Sequence, residues 1–231
     1  AQVEIVIADF MRLDEVRRAS AAIGEAHPVI DVLINSAGLY STRRKMTPDG
    51  NEMTFQVNHL ASFLMTMTLL NNLSKSPQGR ILHVSSEGHR FGGLKLKDLD
   101  WQIRFYLGLR AYGASKLAQL LTMHTLTQLL DGTGVTINAM HPGTVGSHIG
   151  SNNGLLYRGG MAIARRFLLK SPSISGEALY YLAAAPELKQ TTGRYFFLTV
   201  ETAPMATALD ESLRGDIWKK SLELTGLTQA L

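Results

Sequence analysis

The feature that most constrains the fold is a regular alternation of short β-branched runs with longer helix-forming segments. The runs predict strands at residues 3–8, 29–34, 81–84, 135–140 and 194–199. Helical patterns lie between or after them, at residues 16–26, 54–73, 114–130, 161–169, 176–185 and 209–224. Strands that alternate with helices build a parallel sheet with helices on both faces. We therefore predict a single α/β domain over residues 1–231, organised as a doubly wound parallel sheet.

The composition is typical of a soluble globular protein and excludes several kinds of chemistry. Hydrophobic residues make up 45% of the 231 residues and charged residues 18%. The absence of cysteine rules out disulfides, thiolate metal sites and a cysteine nucleophile, and the histidine spacing suggests no metal site. No apolar run is long enough to cross a bilayer and no secretory signal is visible, so a cytoplasmic protein is predicted.

The positive charge of the chain is dispersed. The net charge is +4 and the basic residues are scattered rather than massed, so we predict no nucleic-acid partner. Two tight clusters exist, Arg43-Arg44-Lys45 and Arg165-Arg166. We interpret both as solvated surface, with contact to an anionic ligand or a membrane face as the alternative.

Polar residues follow four of the predicted strands. They are Asp9, the run from Asn35 to Gly38, the pair Ser85 and Ser86, and the pair Pro142 and Gly143. In open α/β sheets, ligands bind beyond the carboxyl ends of the strands. The four groups together predict a binding cleft along that edge. The alternative for Asp9 and Asn35 is turn formation, for which both residue types are favoured.

Tyr112 and Lys116 are the strongest candidates for chemistry. They are four residues apart at the start of a long helical segment, so they lie on one helix face. A free phenol titrates near ~10, and a neighbouring cation lowers that pKa towards a range useful for general acid–base catalysis. For the pair alone, the competing interpretation is a tyrosine and a lysine on the surface at chance helical spacing.

Taken together, these motifs resemble those of the short-chain dehydrogenase/reductase family, over nearly the whole chain. The matching residues are Asp9, Asn35 to Gly38, Asn58, Ser86, Tyr112-Gly-Ala-Ser-Lys116, and Pro142-Gly143. The closer resemblance is to the retinol-dehydrogenase-like branch. It is carried by Phe55-Gln-Val-Asn-His-Leu60, by residues 112–118, by residues 170–172 and 192–195, and by the tail around Trp218. The family resemblance implies a Rossmann-like fold.

The resemblance implies four catalytic residues. Tyr112 exchanges a proton with the substrate oxygen, and Lys116 lowers the pKa of Tyr112 and binds the nicotinamide ribose. Ser86, preferred to Ser85 from the family pattern, stabilises charge on the substrate oxygen. Asn58 anchors a water-mediated proton path to Lys116.

The resemblance also implies a nicotinamide cofactor, with NADP preferred by analogy and NAD as the alternative. Asp9 is expected at the adenine, and Asn35, Ala37 and Gly38 at its ribose. Tyr112 and Lys116 also belong to the cofactor-binding set. Around the nicotinamide, the expected residues are Pro142, Gly143, Val145 and Ser147.

The family's first strand–helix–strand unit, with its Gly-rich phosphate-binding turn, has no counterpart in this sequence. We therefore expect an N-terminally truncated domain, which by itself can be inactive. The predicted activity is hydride transfer between a nicotinamide cofactor and an apolar alcohol, aldehyde or ketone. The alternative is a non-catalytic binding or scaffold protein that kept the fold. The resemblance further implies a homodimer formed through the helices at residues 54–73 and 114–130.

Overall fold

The computed structural model describes residues 2–143 and 172–228. Its strands are β1 (Val32–Asn35), β2 (Arg80–Val84), β3 (Thr136–His141), β4 (Tyr195–Phe197) and β5 (Val200–Thr202). Its helices are α1 (Leu13–Ala26), α2 (Met53–Phe55), α3 (Ala61–Ser74), α4 (Gly108–Leu129), α5 (Pro172–Ala184) and α6 (Glu211–Thr225). A π-helix (Gln56–Leu60) joins α2 to α3. Short 3-10 helices lie at Glu87–Phe91, Leu96–Asp98, Pro186–Leu188 and Ala206–Leu209. The helix predicted at residues 161–169 lies outside the described residues.

The strands form one sheet in the order β1-β2-β3-β4-β5. The first four run parallel, and β5 pairs antiparallel with β4. The predicted α/β fold with a parallel sheet is confirmed, but the strand predicted at residues 194–199 is a hairpin. Leu198 adopts a left-handed conformation (φ 54°), which reverses the chain between β4 and β5.

Helices cover both faces of the sheet, because alternate strand residues bury into opposite layers. On one face, Ile81 and Ile137 belong to a large core built with α1, α3, α4 and α6. On the other face, Leu82 and Met140 pack against α5 in a smaller core. Arg80 ties β2 to the end of α5, since its guanidinium donates to the carbonyl oxygens of Leu182 and Ala185 at 3.1 and 2.8 Å.

The prediction of a strand at residues 3–8 is wrong. Within the described chain this segment pairs with no strand, and Val3, Ile5 and Ile7 are 82%, 82% and 90% exposed. A strand forms only where a neighbouring strand supplies hydrogen-bond partners. The β-branched composition of this run indicates strand propensity, but it cannot supply the partner.

No helix within residues 2–143 and 172–228 combines the length and the hydrophobicity needed to cross a bilayer.

Candidate active site

Three strand ends meet at one edge of the sheet. The parallel register pairs Asn35 with His83, and Val84 with Met140. The residues that follow these strands therefore lie together along the carboxyl ends of the strands. They are Ser36 to Gly38, Ser85 and Ser86, and Pro142 and Gly143.

Lys116 reaches this edge from inside the domain. It lies in α4 with 2% of its surface exposed, and its Nζ donates to the carbonyl oxygen of Val84 at 2.8 Å. The same Nζ lies 5.9 Å from the centre of the Tyr112 ring. Burial disfavours the ammonium form and lowers the pKa of Lys116 to about 8. The two predicted residues are therefore neighbours, as their helical spacing requires.

Ser86 faces the Tyr112 ring across Gly88. Its Oγ accepts a hydrogen bond from the backbone N–H of Gly88 at 3.0 Å and so caps the 3-10 helix Glu87–Phe91. A Cβ at Gly88 would lie 2.6 Å from Cε1 of Tyr112 and 3.3 Å from the Ser86 Oγ. The serine hydroxyl and the phenol ring therefore both lie close to Gly88. Gly88 was missed in the sequence, where a single glycine in an irregular stretch carries little information.

Asn58 lies in the π-helix and is fully buried. Its Nδ2 donates to the Leu39 carbonyl oxygen and to the Ser115 Oγ, both at 3.0 Å, and its Oδ1 accepts from the Leu39 N–H at 2.7 Å. Asn58 thus fixes the loop after β1 against α4. A π-helix inside an α-helix often marks a functional site, and the sequence predicted one continuous helix here.

Asn58 and Lys116 both lie next to Gly38. A Cβ at this position would lie 3.4 Å from the Asn58 Oδ1 and 3.8 Å from the Lys116 Nζ. The preceding Ala37 is exposed and Gly38 is half-buried. The backbone beyond β1 is therefore open to a ligand directly beside the lysine, as expected where Cβ is absent.

Tyr40 is a further aromatic residue at the site that the sequence analysis did not single out. Its ring meets the Tyr112 ring edge-to-face, with 6.1 Å between centroids. Burial raises the pKa of the Tyr40 phenol. The only signal in the sequence was an aromatic residue two positions after Gly38.

The predicted adenine-side residues are held by other contacts. The Asp9 Oδ1 accepts from the Met11 N–H at 2.9 Å, and Asp9 is exposed. The buried Asn35 donates from Nδ2 to the Thr66 Oγ1 at 2.9 Å. The Asp9 contact is the turn formation given as its alternative, the Asn35 contact ties the end of β1 to α3, and the structure does not join Asp9 to a strand end.

On the predicted nicotinamide side, Pro142 and Gly143 follow β3. Gly143 has a φ of 77°, which favours glycine, and a Cβ at this position would lie 3.4 Å from Cε2 of the Phe197 ring. The Pro142 carbonyl oxygen accepts from the Ser175 hydroxyl of α5 at 3.2 Å. Val145 and Ser147 lie outside the described residues.

Two of the histidines near the site, His83 and His89, are buried. His89 is fully buried, with Nδ1 2.7 Å from the Ser86 carbonyl oxygen and Nε2 accepting from the Met205 N–H at 3.1 Å. Both ring nitrogens are therefore used. Burial lowers the pKa of His83 to about 3. In the described part of the chain, no three histidine and carboxylate side chains form a group that could hold a metal ion.

Comparisons with known proteins agree with this geometry. A family model for short chain dehydrogenases matches residues 1–98. Human retinol dehydrogenase 13 is 38% identical over 223 residues, which cover 95% of this chain and 67% of the relative. Mouse polyprenol dehydrogenase is 36% identical over 207 residues, covering 85% of this chain and 60% of the relative. A crystal structure of an uncharacterised protein from Mycobacterium paratuberculosis superimposes with a TM-score of 0.72 at 29% identity, covering 97% of this chain and 76% of that one.

The chain therefore belongs to the short-chain dehydrogenase/reductase family of NAD(P)-dependent oxidoreductases, with the family's Rossmann-type sheet. Within that family it is retinol-dehydrogenase-like. The curated relatives extend well beyond it in length, since this chain spans about two thirds of retinol dehydrogenase 13.

Proposed function

We propose that this chain catalyses hydride transfer between a nicotinamide cofactor and an apolar alcohol or carbonyl compound. The observation that carries the proposal is the buried Lys116 beside Tyr112, with the Ser86 hydroxyl and the Tyr112 ring both close to Gly88. A cation favours the phenolate form of a neighbouring phenol, so Tyr112 can exchange a proton at neutral pH. A scaffold would gain nothing from keeping an ammonium group in its interior, where burial penalises the charge.

The residues act in separate roles. Tyr112 exchanges the proton with the substrate oxygen, and the Ser86 hydroxyl donates a hydrogen bond to that oxygen as charge develops on it. Lys116 supplies the neighbouring positive charge. Asn58 holds the loop that carries Gly38 in place through its three hydrogen bonds to Leu39 and Ser115.

A nicotinamide cofactor fits the residues at this edge. The missing Cβ of Gly38 leaves backbone accessible beside the Lys116 ammonium, which suits a ribose hydroxyl. Pro142 and Gly143 would hold the nicotinamide, and the cofactor would supply or accept the hydride when bound. The exposed Ala37, which follows the buried Asn35, would lie near the adenine ribose. Assignment of Asp9, Val145 and Ser147 to the cofactor, and the preference for NADP over NAD, rest on family analogy.

The proposed substrate is a long apolar primary alcohol or its aldehyde. Its support is the similarity to a retinol dehydrogenase and a polyprenol dehydrogenase. Retinol and polyprenol, the alcohols in these names, are both apolar allylic alcohols. Tyr40, packed edge-on against Tyr112, adds an aromatic surface next to the reacting phenol. This surface suits a hydrocarbon chain better than a charged substrate.

The test is reduction of retinal by the purified complete protein that contains this chain, followed through loss of NADPH or NADH absorbance. Tyr112→Phe is expected to lower kcat by about 10²–10⁴-fold, because the positioned proton donor is lost. Tyr106→Phe is the matched control, since Tyr106 lies in the same region but bonds to Glu52 instead of the site. Near-normal turnover by a folded Tyr112→Phe protein would refute the catalytic role of this tyrosine.

The second candidate function is a non-catalytic binding or scaffold protein that kept the fold. It is favoured by the contacts of the residues predicted at the adenine side, since the Asp9 Oδ1 accepts from the Met11 N–H and the buried Asn35 amide donates to the Thr66 Oγ1. A folded complete protein containing this chain that binds neither NADPH nor NADH and turns over no carbonyl substrate would support it.

Two further expectations stay predictions. The first is homodimerisation through the helices that correspond to α3 and α4, which sedimentation equilibrium checks. Within the chain, α1 packs on α3 and α6 packs on α4, so each of these helices already has one face covered. A cytoplasmic location is checked by fractionation of cells that express the chain.

A further inference from the structure

The 3-10 helix Glu87–Phe91 is fastened to the segment that follows β5. The Arg90 Nη2 donates to the carbonyl oxygen of Ala203, directly after β5, at 2.8 Å. Two residues further along, the backbone N–H of Met205 donates to the Nε2 of His89 at 3.1 Å. Arg90 is exposed, whereas His89 has no exposed surface. The histidine is therefore the buried tie of the two, and a buried hydrogen bond does not compete with water.

The ring of His89 joins this segment to Ser86. Its Nδ1 lies 2.7 Å from the Ser86 carbonyl oxygen, which also accepts from the His89 backbone N–H at 3.2 Å. The ring packs edge-to-face against that of Tyr195 in β4, with 5.1 Å between centroids. Tyr195 is 2% exposed, and its hydroxyl donates to the Glu87 Oε1 at 2.9 Å. The imidazole is thus held at both nitrogens and against a second buried ring.

The partners of the two ring nitrogens fix the tautomer of His89. A backbone N–H can only donate, so Nε2 accepts from Met205 and carries no proton. A carbonyl oxygen can only accept, so Nδ1 carries the proton that is donated to Ser86. Burial lowers the pKa of His89, which keeps the ring neutral at pH 7 as this pairing requires. His89 is therefore the Nδ1–H tautomer.

The contacts of Ser86 leave its hydroxyl proton available for a substrate. The Ser86 Oγ accepts from the Gly88 N–H at 3.0 Å, and this bond uses a lone pair of the oxygen and not its proton. Gly88 in turn lies against the Tyr112 ring. A shift of the Ser86 backbone would move the hydroxyl relative to Tyr112, and the His89 ring opposes that shift because it holds the Ser86 carbonyl group.

We propose that His89 is a positioning residue that, as the Nδ1–H tautomer, holds the backbone of Ser86 against the segment after β5 and so fixes the Ser86 hydroxyl relative to Tyr112. His89 itself has no free nitrogen to offer a substrate, because both of its ring nitrogens bond to the backbone. The inference rests on the proposed function, since it concerns the serine that would stabilise charge on the substrate oxygen.

Two amide variants, made in the complete protein that contains this chain, separate the roles of the two ring nitrogens. Asparagine places its amide nitrogen near the position of Nδ1, whereas glutamine reaches the position of Nε2. His89→Asn should keep the hydrogen bond to Ser86 and most of the turnover. His89→Gln loses that bond and should lower kcat for retinal reduction about 10–10²-fold, because the Ser86 hydroxyl is misplaced. KM should change little, since the serine acts on charge that develops in the transition state.

A double variant tests whether His89 acts through Ser86. Ser86→Ala alone should lower kcat about 10²–10³-fold. Addition of His89→Gln to Ser86→Ala should lower kcat little further, because the group that the histidine positions is gone. A purely structural histidine would instead give losses that add in full.

The control is a buried amide at the other end of the sheet. The Asn72 Nδ2 donates to the carbonyl oxygens of Gly24 and His27 at 2.8 and 2.9 Å, and the Asn72 carbonyl oxygen accepts from the N–H of Ile30, which precedes β1. Asn72→Ala removes two buried hydrogen bonds away from the carboxyl ends of the strands. It should lower stability and leave kcat unchanged. A matching loss of kcat in this variant would trace the effect of His89→Gln to weakened folding and overturn the proposal.

The tautomer is measured independently of activity, from long-range ¹H–¹⁵N spectra of ¹⁵N-histidine-labelled protein at pH 7. The signals of His89 are identified by their loss in His89→Asn, and circular dichroism verifies that each variant is folded. We expect a protonated Nδ1 and an unprotonated Nε2. A proton on Nε2 would overturn the proposal, and so would near-normal turnover by His89→Gln, equal losses in His89→Asn and His89→Gln, or full additivity with Ser86→Ala. Absence of turnover in the unaltered protein would instead refute the proposed function, and this role with it.

Discussion

At the scale of one residue, burial of the Lys116 ammonium in the candidate active site lowers the stability of the fold. Its ammonium is buried, so its pKa is about 8 in the folded chain against 10.5 for the ordinary lysine. Below pH 8 the side chain is charged in both states, and the folded state carries the full cost of burying the charge. Between pH 8 and 10.5 the folded state loses its proton first, and that cost disappears. Lys116 therefore destabilises the fold at neutral pH.

We predict that Lys116→Met raises the free energy of unfolding at pH 7 by about 2 kcal/mol. The pKa difference corresponds to roughly 3 kcal/mol, and loss of the hydrogen bond to the Val84 carbonyl oxygen returns about 1 kcal/mol. Urea unfolding measures it, and the gain should shrink when unfolding is repeated near pH 10. Lys97→Met, at an exposed position, is the control and should change stability little. A less stable Lys116→Met protein at pH 7 would contradict this account.

Among the elements, close packing between α4 and the 3-10 helix Glu87–Phe91 sets the geometry around Tyr112. The contact requires Gly88 in the 3-10 helix and Gly113 in α4, because a Cβ on either residue would meet the other helix. A Cβ at Gly113 would lie 2.8 Å from the carbonyl oxygens of both Gly88 and Gly92. Those oxygens are backbone atoms, so neither can move aside without moving the helix that carries them.

The matched pair Gly113→Ala and Gly215→Ala tests this packing. In an unobstructed helix, glycine to alanine stabilises by about 0.5–1 kcal/mol. Gly215, in α6, has nothing within 4 Å of its Cβ position, so Gly215→Ala should stabilise. Gly113→Ala should instead destabilise by about 1–3 kcal/mol through overpacking. Opposite signs in thermal unfolding of the two variants are the expected result; stabilisation by both would show that the two elements separate easily.

For the molecule as a whole, two buried histidines make the stability of the fold decrease as the pH falls. The His59 Nε2 lies 2.8 Å from the Ser221 Oγ, and that hydroxyl donates to the Ile217 carbonyl oxygen. Burial is the main cause that lowers the pKa of His59 and of His83 from 6.5 to about 3. At pH 7 both are neutral in the folded and unfolded states. As the pH falls below 6.5, the unfolded chain takes up protons that the folded chain refuses, so stability is lost.

We predict that each buried histidine contributes a loss of about 1.4 kcal/mol per pH unit between roughly pH 6 and pH 3. His83→Leu should remove one such contribution, so its unfolding free energy should fall less steeply with acid than that of the unaltered chain. Urea titrations at several pH values measure the slopes. Parallel slopes for the unaltered chain and His83→Leu would show that His83 is protonated in the fold.

The sequence by itself determined the architecture and the Tyr112–Lys116 pair. Both follow from periodicity, because the positions of apolar residues report buried faces and a spacing of four reports one side of a helix. The sheet at β1 to β4 and the long helix carrying Tyr112 were predicted on that basis, within a few residues at each end for most elements. The strand-end glycines and serines were also found, because turn chemistry is local.

Contacts between distant segments were decided only by the tertiary structure. Residues 3–8 have the composition of a strand but no neighbouring strand to pair with in the described chain. The π-helix at Asn58, the ring of Tyr40 against Tyr112 and the need for Gly88 all depend on segments far apart in the sequence. The burial that lowers the pKa of Lys116 is likewise a property of the whole packed domain. Local pattern reports which face of an element is apolar, but not which atoms that face will meet.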